Sequence, residues 1–148
     1  MTDNGLRTLG TRVQRVTALA CPPDLDGKVV VVTGGTDGVG RALVEQLASL
    51  HATVVFTARD PEKGERVRAE VVRDTGHDVH VVDLDLADLA SIRTGAAAVV
   101  GDHPKIDVLI ANAAHQAGKT RTETVDGFET TLGVNHLGHA LLVALLER

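Results

Sequence analysis

The chain has 148 residues, 43% of them hydrophobic and 24% charged, with a net charge of −5. This balance is typical of one globular domain, and the acidic surface argues against a nucleic-acid groove, which needs clustered lysine and arginine. Cys21 is the only cysteine, which excludes an intrachain disulfide, and no apolar run approaches the roughly 18 residues of a membrane span, so we expect a cytoplasmic protein without one.

Residues 1–27 are predicted to be an N-terminal extension of a folded domain over residues 28–148. The extension ends in two prolines and an Asp-Gly pair, which favour turns. Residues 4–23 contain three arginines and no acid, a pattern also typical of a transit peptide. We interpret the segment as a solvated extension.

Four apolar runs rich in valine, isoleucine and leucine predict strands. They cover residues 28–33, 53–57, 78–82 and 107–111, and a helical stretch follows each of them. Near-continuous apolar runs suit strands buried on both faces, and strands that alternate with helices need right-handed crossovers. We therefore expect an α/β fold, a doubly wound parallel sheet with about four strands in the order 3-2-1-4.

Local signals and periodicity mark the helices. Asp60 and Pro61 predict the start of the second helix, as an N-cap acid and a proline at the first helical position. The last helix is predicted from near Thr124 to Glu147, with apolar residues on two adjacent stripes. So wide an apolar surface must be covered by something.

A glycine-rich turn follows the first strand directly. Residues 33–40 read T-G-G-T-D-G-V-G. Such a turn lets backbone N–H groups and a helix N-terminus approach a pyrophosphate. Its spacing is G-x-x-x-G-x-G rather than G-x-G-x-x-G, and its place between a strand and a helix supports the interpretation.

Further motifs follow at the ends of the later strands and in the last helix. They are Ala58-Arg59, Asp83-Leu84, Asn112-Ala113-Ala114 and Val134-Asn135-His136-Leu137-Gly138-His139. With the glycine-rich turn they resemble the short-chain dehydrogenase/reductase family over residues 28–148. The string from Asp126-Gly127-Phe128-Glu129 to His139 is most similar to the retinol-dehydrogenase-like branch. The resemblance implies the NADP-binding Rossmann half of an oxidoreductase that transfers hydride to or from an alcohol or carbonyl.

The resemblance assigns roles position by position. Gly34, Gly38 and Gly40 would shape the phosphate turn. The full cofactor-binding set that it implies is Gly34, Thr36, Asp37, Gly38, Val39, Gly40, Arg59, Asp83, Leu84, Asn112 and Ala113, with Arg41 as a supporting contact.

Asp83, Asn112 and Asn135 would have separate roles. Asp83 would accept a hydrogen bond from the adenine amino group, with the Leu84 backbone beside it; the alternative is a helix-capping acid. Asn112 would stabilise the fourth strand and line the adenosine pocket. Asn135 matches the family asparagine that holds a water in the proton relay; the alternative is a buried residue at a helix kink.

Arg59 favours NADP over NAD. NAD enzymes of this fold place an acid at the end of the second strand, where it bonds the ribose hydroxyls. Here that place is Ala58, and the charge and fork geometry of Arg59 suit a 2′-phosphate. The alternative is that Asp60 reaches the ribose, although its position before Pro61 favours a helix cap.

One motif departs from the family pattern. Asn-Asn-Ala-Gly after the fourth strand becomes Asn112-Ala113-Ala114-His115, and loss of the glycine would crowd the backbone near the nicotinamide ribose. His115, His136 and His139 also invite a metal hypothesis. No cysteine or well-placed acid completes such a set, so we expect no metal.

The family's catalytic acid is a tyrosine, aided by a lysine and a serine. This chain has no tyrosine, and its only serines, Ser49 and Ser91, lie in the nucleotide half. We predict that the chain alone is inactive and ends before the catalytic residues. The alternative is a non-catalytic NADP(H)-binding or dimerising relative. Partners would be a nicotinamide dinucleotide and either a second copy, through the 124–147 helix, or a separate C-terminal piece.

Overall fold

A four-stranded parallel sheet forms the centre of the protein. The computed structural model describes residues 24–116 and 118–147; most of the predicted extension lies outside them. The strands are β1 (Val29–Val32), β2 (Thr53–Ala58), β3 (Val79–Asp83) and β4 (Val108–Ile110). Their order is β3-β2-β1-β4 and every pairing is parallel, which confirms the predicted topology.

Three helices are capped by aspartates that precede them. They are α1 (Gly38–Ser49), α2 (Pro61–Thr75) and α3 (Leu89–Asp102), with Asp37, Asp60 and Asp88 as their N-caps. The predicted start of α2 is confirmed, since the Asp60 carboxylate accepts a hydrogen bond from the Lys63 N–H at 3.0 Å. Each cap satisfies an N–H that has no partner within its helix.

The last helix begins later than predicted. It comprises α4 (Thr130–Leu132), a π-helical segment (Gly133–Gly138) and α5 (His139–Leu146), which follow one another without a break. The predicted start near Thr124 is wrong because residues 124–128 form a turn, in which the Thr124 N–H donates to the Phe128 carbonyl at 2.8 Å. The Glu129 carboxylate then caps the helix.

Alternate strand residues face two different cores. On one face, Val30, Val32, Val54 and Phe56 pack with side chains of α1 and α2, and Leu25 joins them from the predicted extension. On the other, Val31 and Val55 pack with Val99 of α3 and Leu146 of α5, as well as other apolar residues. Helices on both faces therefore bury the sheet, as its continuous apolar runs predict.

β4 forms one edge of the sheet. Among the described residues it pairs only with β1, and Val108 is 46% exposed. Leu132 of the last helix is 49% exposed. In the parts of the chain that the structure describes, no helix is both long enough and apolar enough to cross a membrane.

Asp107 joins the amino ends of β1 and β4, and we expect it to shape the acid stability of the fold. Its carboxylate accepts hydrogen bonds from the Val29 N–H (3.1 Å), Lys28 Nζ (3.1 Å) and Lys105 Nζ (3.2 Å). These contacts lower the pKa of Asp107 from an ordinary 3.8 to about 2, and the Val29 N–H has the largest effect, followed by Lys28 and Lys105. A depressed folded-state pKa stabilises the fold above the unfolded pKa, and this contribution is lost as the pH falls through the folded pKa.

Asp107→Asn should therefore lower Tm at neutral pH. It should also lose less stability than the unaltered chain as the pH falls from 3.8 to about 2. Thermal unfolding followed by circular dichroism across that window measures both effects. Asp26→Asn, at an exposed position in the turn before β1, is the matched control and should leave the pH profile unchanged. If Asp107→Asn and the unaltered chain lose stability in parallel, the assignment is wrong.

Candidate functional site

The turn between β1 and α1 lies at the carboxyl end of β1. Gly34 and Gly38 have φ angles of 70° and 49°, a left-handed backbone that residues with side chains rarely adopt. Gly34 also lies against the segment after β4, since a Cβ there would come 2.9 Å from the Ala113 Cβ. The Gly35 N–H donates to the Thr57 carbonyl at 3.2 Å. The turn is thus held between the ends of β2 and β4.

Gly40 is required for a different reason, which is close approach. It lies buried in the first turn of α1. A Cβ at this position would overlap the Gly34 carbonyl oxygen and come within 2.5 Å of Asn112 Nδ2. The spacing G-x-x-x-G-x-G therefore combines two left-handed positions with one where a helix meets the preceding turn.

Thr33 and Asn112 join the carboxyl ends of β1 and β4. Asn112 Nδ2 donates to the carbonyl oxygens of Thr33 (3.0 Å) and Gly34 (3.4 Å). In return, the fully buried Thr33 hydroxyl accepts the N–H groups of Asn112 and Ala113, both at 3.0 Å. The sequence indicated Asn112 but not this role of Thr33, although Thr33 is the first letter of the motif.

His139 of α5 reaches the same hydroxyl. Its Nε2 lies 2.9 Å from Thr33 Oγ1, its Nδ1 lies 3.1 Å from the Val134 carbonyl oxygen, and the residue is 8% exposed. Both ring nitrogens thus have protein partners, and the histidine turns inward from a helix face that its sequence marked as apolar. Among the residues that the structure describes, no three His, Cys, Asp or Glu side chains are grouped to hold a metal ion.

A lysine that the sequence did not indicate lies beside the turn. Lys63 Nζ of α2 is 3.0 Å from Asp37 Oδ2, while Asp37 Oδ1 accepts the Gly38 N–H at 2.9 Å. The Lys63 ammonium first, and the Gly38 N–H second, hold the pKa of Asp37 below its ordinary value. Thr36 beside it is half-buried, and Val39 in the first turn of α1 is 70% exposed.

Arg59 and Asp83 stand at neighbouring strand ends. Ala58 pairs with Asp83 in the β2–β3 ladder, so Arg59 follows at the same edge, and both charged residues are exposed. Asp83 ends β3 and the cap of α3 is Asp88, so Asp83 does not cap that helix. Leu84 is buried, and its N–H donates to the Ala58 carbonyl at 2.9 Å.

Asn135 holds the segment after β4 from the last helix. It lies in the π-helical segment, where its Oδ1 accepts the His115 N–H at 2.6 Å and its Nδ2 donates to the His115 carbonyl at 3.0 Å. Asn135 is exposed, unlike the buried kink residue of the alternative interpretation. Among the described residues His51 alone combines a side chain with a positive φ, so the backbone at His115 does not adopt the left-handed conformation that favours glycine.

All these groups lie towards one edge of the molecule. The carboxyl ends of parallel strands form the crevice in which sheets of this type bind ligands. Direct contacts join Gly34, Gly40, Asn112 and Ala113 at the centre of that edge. Arg59 and Asp83 extend the same edge over β2 and β3. The glycine-rich turn thus lies at the centre of this edge, with Arg59 and Asp83 on one side of it and Asn112 on the other.

Known proteins resemble this chain in sequence and in fold. The family model for short chain dehydrogenase matches residues 28–147. Retinol dehydrogenase 11 of Homo sapiens is 46% identical over 123 residues, which cover 82% of this chain and 38% of that protein. Retinol dehydrogenase 13 of Homo sapiens is 41% identical over 134 residues, or 88% of this chain and 40% of that protein. The chain thus spans about two fifths of the length of these curated relatives.

Solved structures share the fold. A metagenomic short-chain oxidoreductase in complex with NADP has a TM-score of 0.73 and 32% identity, with 84% of this chain and 57% of that chain covered. An NAD+-bound xylitol dehydrogenase has a TM-score of 0.71 and 26% identity, with 84% of this chain and 48% of that chain covered.

Proposed function

The chain belongs to the short-chain dehydrogenase family, in its retinol-dehydrogenase-like branch, and from that premise we propose that residues 28–148 are the NADP(H)-binding half of an oxidoreductase. The whole enzyme would transfer hydride to or from an alcohol or carbonyl. The observation that carries the proposal is the turn at Gly34–Gly40, which Asn112 and Ala113 hold in a shape that leaves no room for a Cβ at Gly40. Residues 1–27 would precede this domain as an extension.

The residues present fit a dinucleotide laid along the carboxyl edge. The pyrophosphate would lie at the N-terminus of α1, where backbone N–H groups and the helix dipole favour an anion. Val39, exposed in that first turn, would be covered by the nucleotide. The binding set that we propose is Gly34, Thr36, Asp37, Gly38, Val39 and Gly40 for the phosphates, Arg59 for the adenosine ribose, Asp83 and Leu84 for the adenine, and Asn112 and Ala113 for the wall of the pocket.

Charge at the end of β2 favours NADP over NAD. Ala58 occupies the place of the acid that bonds ribose hydroxyls in NAD enzymes. Asp60, the alternative acid, already accepts the Lys63 N–H as the cap of α2. Arg59 is exposed there, whereas the Lys63 ammonium is already paired with Asp37. A 2′-phosphate would therefore meet the Arg59 guanidinium, whereas a bare ribose would gain little from that charge.

Arg59→Ala should weaken the binding of NADPH far more than the binding of NADH. A charge-assisted hydrogen bond contributes about 1.5 to 3 kcal/mol, so we expect the Kd for NADPH to rise by about 10- to 100-fold. NADH has no 2′-phosphate, and its Kd should change by less than about threefold. Calorimetric titration of the unaltered chain and of Arg59→Ala with NADPH and with NADH measures the difference.

Arg66→Ala is the matched control. Arg66 is an exposed arginine in the second turn of α2, so its loss removes the same charge without changing the end of β2. Equal losses for NADPH and NADH in Arg59→Ala would contradict the 2′-phosphate assignment. Failure of the unaltered chain to bind either nucleotide would contradict the proposed function itself.

The second candidate function is nucleotide binding without catalysis, in a chain that associates with another. The observation that favours it is the exposure of two apolar side chains, Val108 on β4, which is an edge strand among the described residues, and Leu132 on the last helix. Analytical ultracentrifugation of the purified chain separates the candidates. A nucleotide-binding homodimer without turnover would favour the second.

A further inference from the structure

The Thr33 hydroxyl needs a proton acceptor, and the structure offers two. A hydroxyl has one proton and two lone pairs, and both lone pairs of Thr33 Oγ1 are taken by the N–H groups of Asn112 and Ala113. The proton can go to the Ile110 carbonyl oxygen at 3.5 Å or to His139 Nε2 at 2.9 Å. Only the histidine lies at an ordinary hydrogen-bond distance, so the proton points at His139.

The second nitrogen of the ring fixes its tautomer. His139 Nδ1 lies 3.1 Å from the Val134 carbonyl oxygen, and a carbonyl can only accept a hydrogen bond. Nδ1 therefore carries the ring proton, and Nε2 is left as the acceptor for Thr33. The whole array is buried, with Thr33 at 0% and His139 at 8% exposure, so water does not compete for these bonds.

We propose that His139 is a positioning residue for the nucleotide turn. As the neutral Nδ1–H tautomer it accepts the hydrogen bond of the Thr33 hydroxyl, which leaves both lone pairs of that hydroxyl for the N–H groups after β4. The proposal rests on the proposed function of this turn. Among the described residues, the hydrogen bonds of His139 go to Thr33 and Val134 and not to a glycine of the turn. It acts through Thr33 on Asn112 and Ala113, which in turn hold Gly34 by a hydrogen bond and by packing.

This arrangement explains a polar residue on an otherwise apolar helix. Leu142, one turn after His139, is buried in the core between α3 and α5, where only apolar packing is needed. At position 139 a leucine would leave the buried Thr33 hydroxyl without a near acceptor. The hydroxyl would turn towards Ile110 and give up one of the two N–H groups that it now accepts. The Asn112 N–H also donates to the Ile110 carbonyl at 3.0 Å, so the loss would fall on the Ala113 N–H.

Paired substitutions at one position test the proposal. His139→Leu should raise the Kd for NADPH by about tenfold, because a buried hydrogen bond is lost. His139→Gln retains a side-chain acceptor and a donor, and should stay within about threefold of the unaltered chain. His136→Leu, at an exposed position one turn earlier, is the control and should bind like the unaltered chain. If His139→Leu does not fold, the isosteric Thr33→Val removes this bond together with the two that the hydroxyl accepts, and should weaken NADPH binding at least as much.

Histidine-selective ¹⁵N NMR of the nucleotide-free chain supplies a readout that packing alone would not move. We expect the His139 ring to show the Nδ1–H tautomer, and its Nε2 resonance to shift in Thr33→Val but not in His136→Leu. An Nε2–H tautomer, or NADPH binding by His139→Leu equal to that of a binding-competent unaltered chain, would overturn the inference. If the unaltered chain binds neither nucleotide, the proposed function and the positioning role both fail, while the tautomer still reports whether the hydrogen-bond array exists.

Discussion

Gly40→Ala is expected to raise the Kd for NADPH by about 100-fold. The added Cβ would overlap the Gly34 carbonyl oxygen and lie 2.5 Å from Asn112 Nδ2. The Gly34 carbonyl and the Asn112 side chain cannot move independently, because Asn112 Nδ2 donates to the carbonyls of both Thr33 and Gly34. Overpacking costs about 1 to 3 kcal/mol, and here its full effect falls on the phosphate turn. Calorimetric titration with NADPH measures the loss, and thermal unfolding shows how much is global.

Gly101→Ala is the control for this substitution. Gly101 lies in the last turn of α3, and a Cβ there meets nothing within 4 Å. Alanine in a helix is up to about 1 kcal/mol more favourable than glycine, so Gly101→Ala should raise Tm slightly and leave the NADPH affinity unchanged. Unaltered NADPH binding by Gly40→Ala would show that the turn does not hold the nucleotide.

The sheet could be predicted because its signals are local and repeated. Val29–Val32 is apolar without interruption, which indicates burial on both faces, and the helices that separate the four runs exclude hairpins. The order β3-β2-β1-β4 follows once every crossover is right-handed and helices cover both faces. The start of α2 is equally local, since an aspartate before a proline satisfies the requirements of a first helical turn.

The start of the last helix could not be predicted from periodicity alone. The apolar stripe continues backwards through Phe128, which made residues 124–129 look helical. The Asp126-Gly127 pair is the opposing signal: Gly127 has a φ of 82°, which a helix cannot contain. The π-helical segment Gly133–Gly138 lies inside the predicted helix, and the sequence prediction did not distinguish it from an α-helix.

Side-chain pairs between distant elements decide the finer geometry of the site, and the sequence does not carry them. Thr33 and His139 are 106 positions apart, and Asp37 and Lys63 are 26 apart. Their contacts exist only once the sheet and the helices have packed. A histidine at helical spacing within an apolar face is the signal that could have indicated the first pair, since a buried imidazole needs hydrogen-bond partners.

The chain on its own is expected to bind NADPH and to give no carbonyl-dependent NADPH oxidation. Family resemblance assigns the general acid to a tyrosine, and the 148 residues contain none. The serine hydroxyls are engaged elsewhere: Ser49 Oγ donates to the Glu45 carbonyl, and Ser91 Oγ accepts the Asp85 N–H, both at 2.9 Å. A general acid contributes about 100- to 10,000-fold, so the rate should be at least about 100-fold below that of a full-length relative assayed in parallel.

Absorbance at 340 nm with a panel of aldehydes and ketones measures this rate, and calorimetry on the same sample confirms that NADPH is bound. If NADPH binds but is oxidised only at the background rate, the chain is a cofactor-binding half without catalytic activity. Robust oxidation would overturn that view and direct attention to His115, which Asn135 holds by two hydrogen bonds in the segment after β4. His115→Ala would then abolish the activity if its imidazole had replaced the tyrosine, whereas His136→Ala, at an exposed position on the last helix, would leave it unchanged.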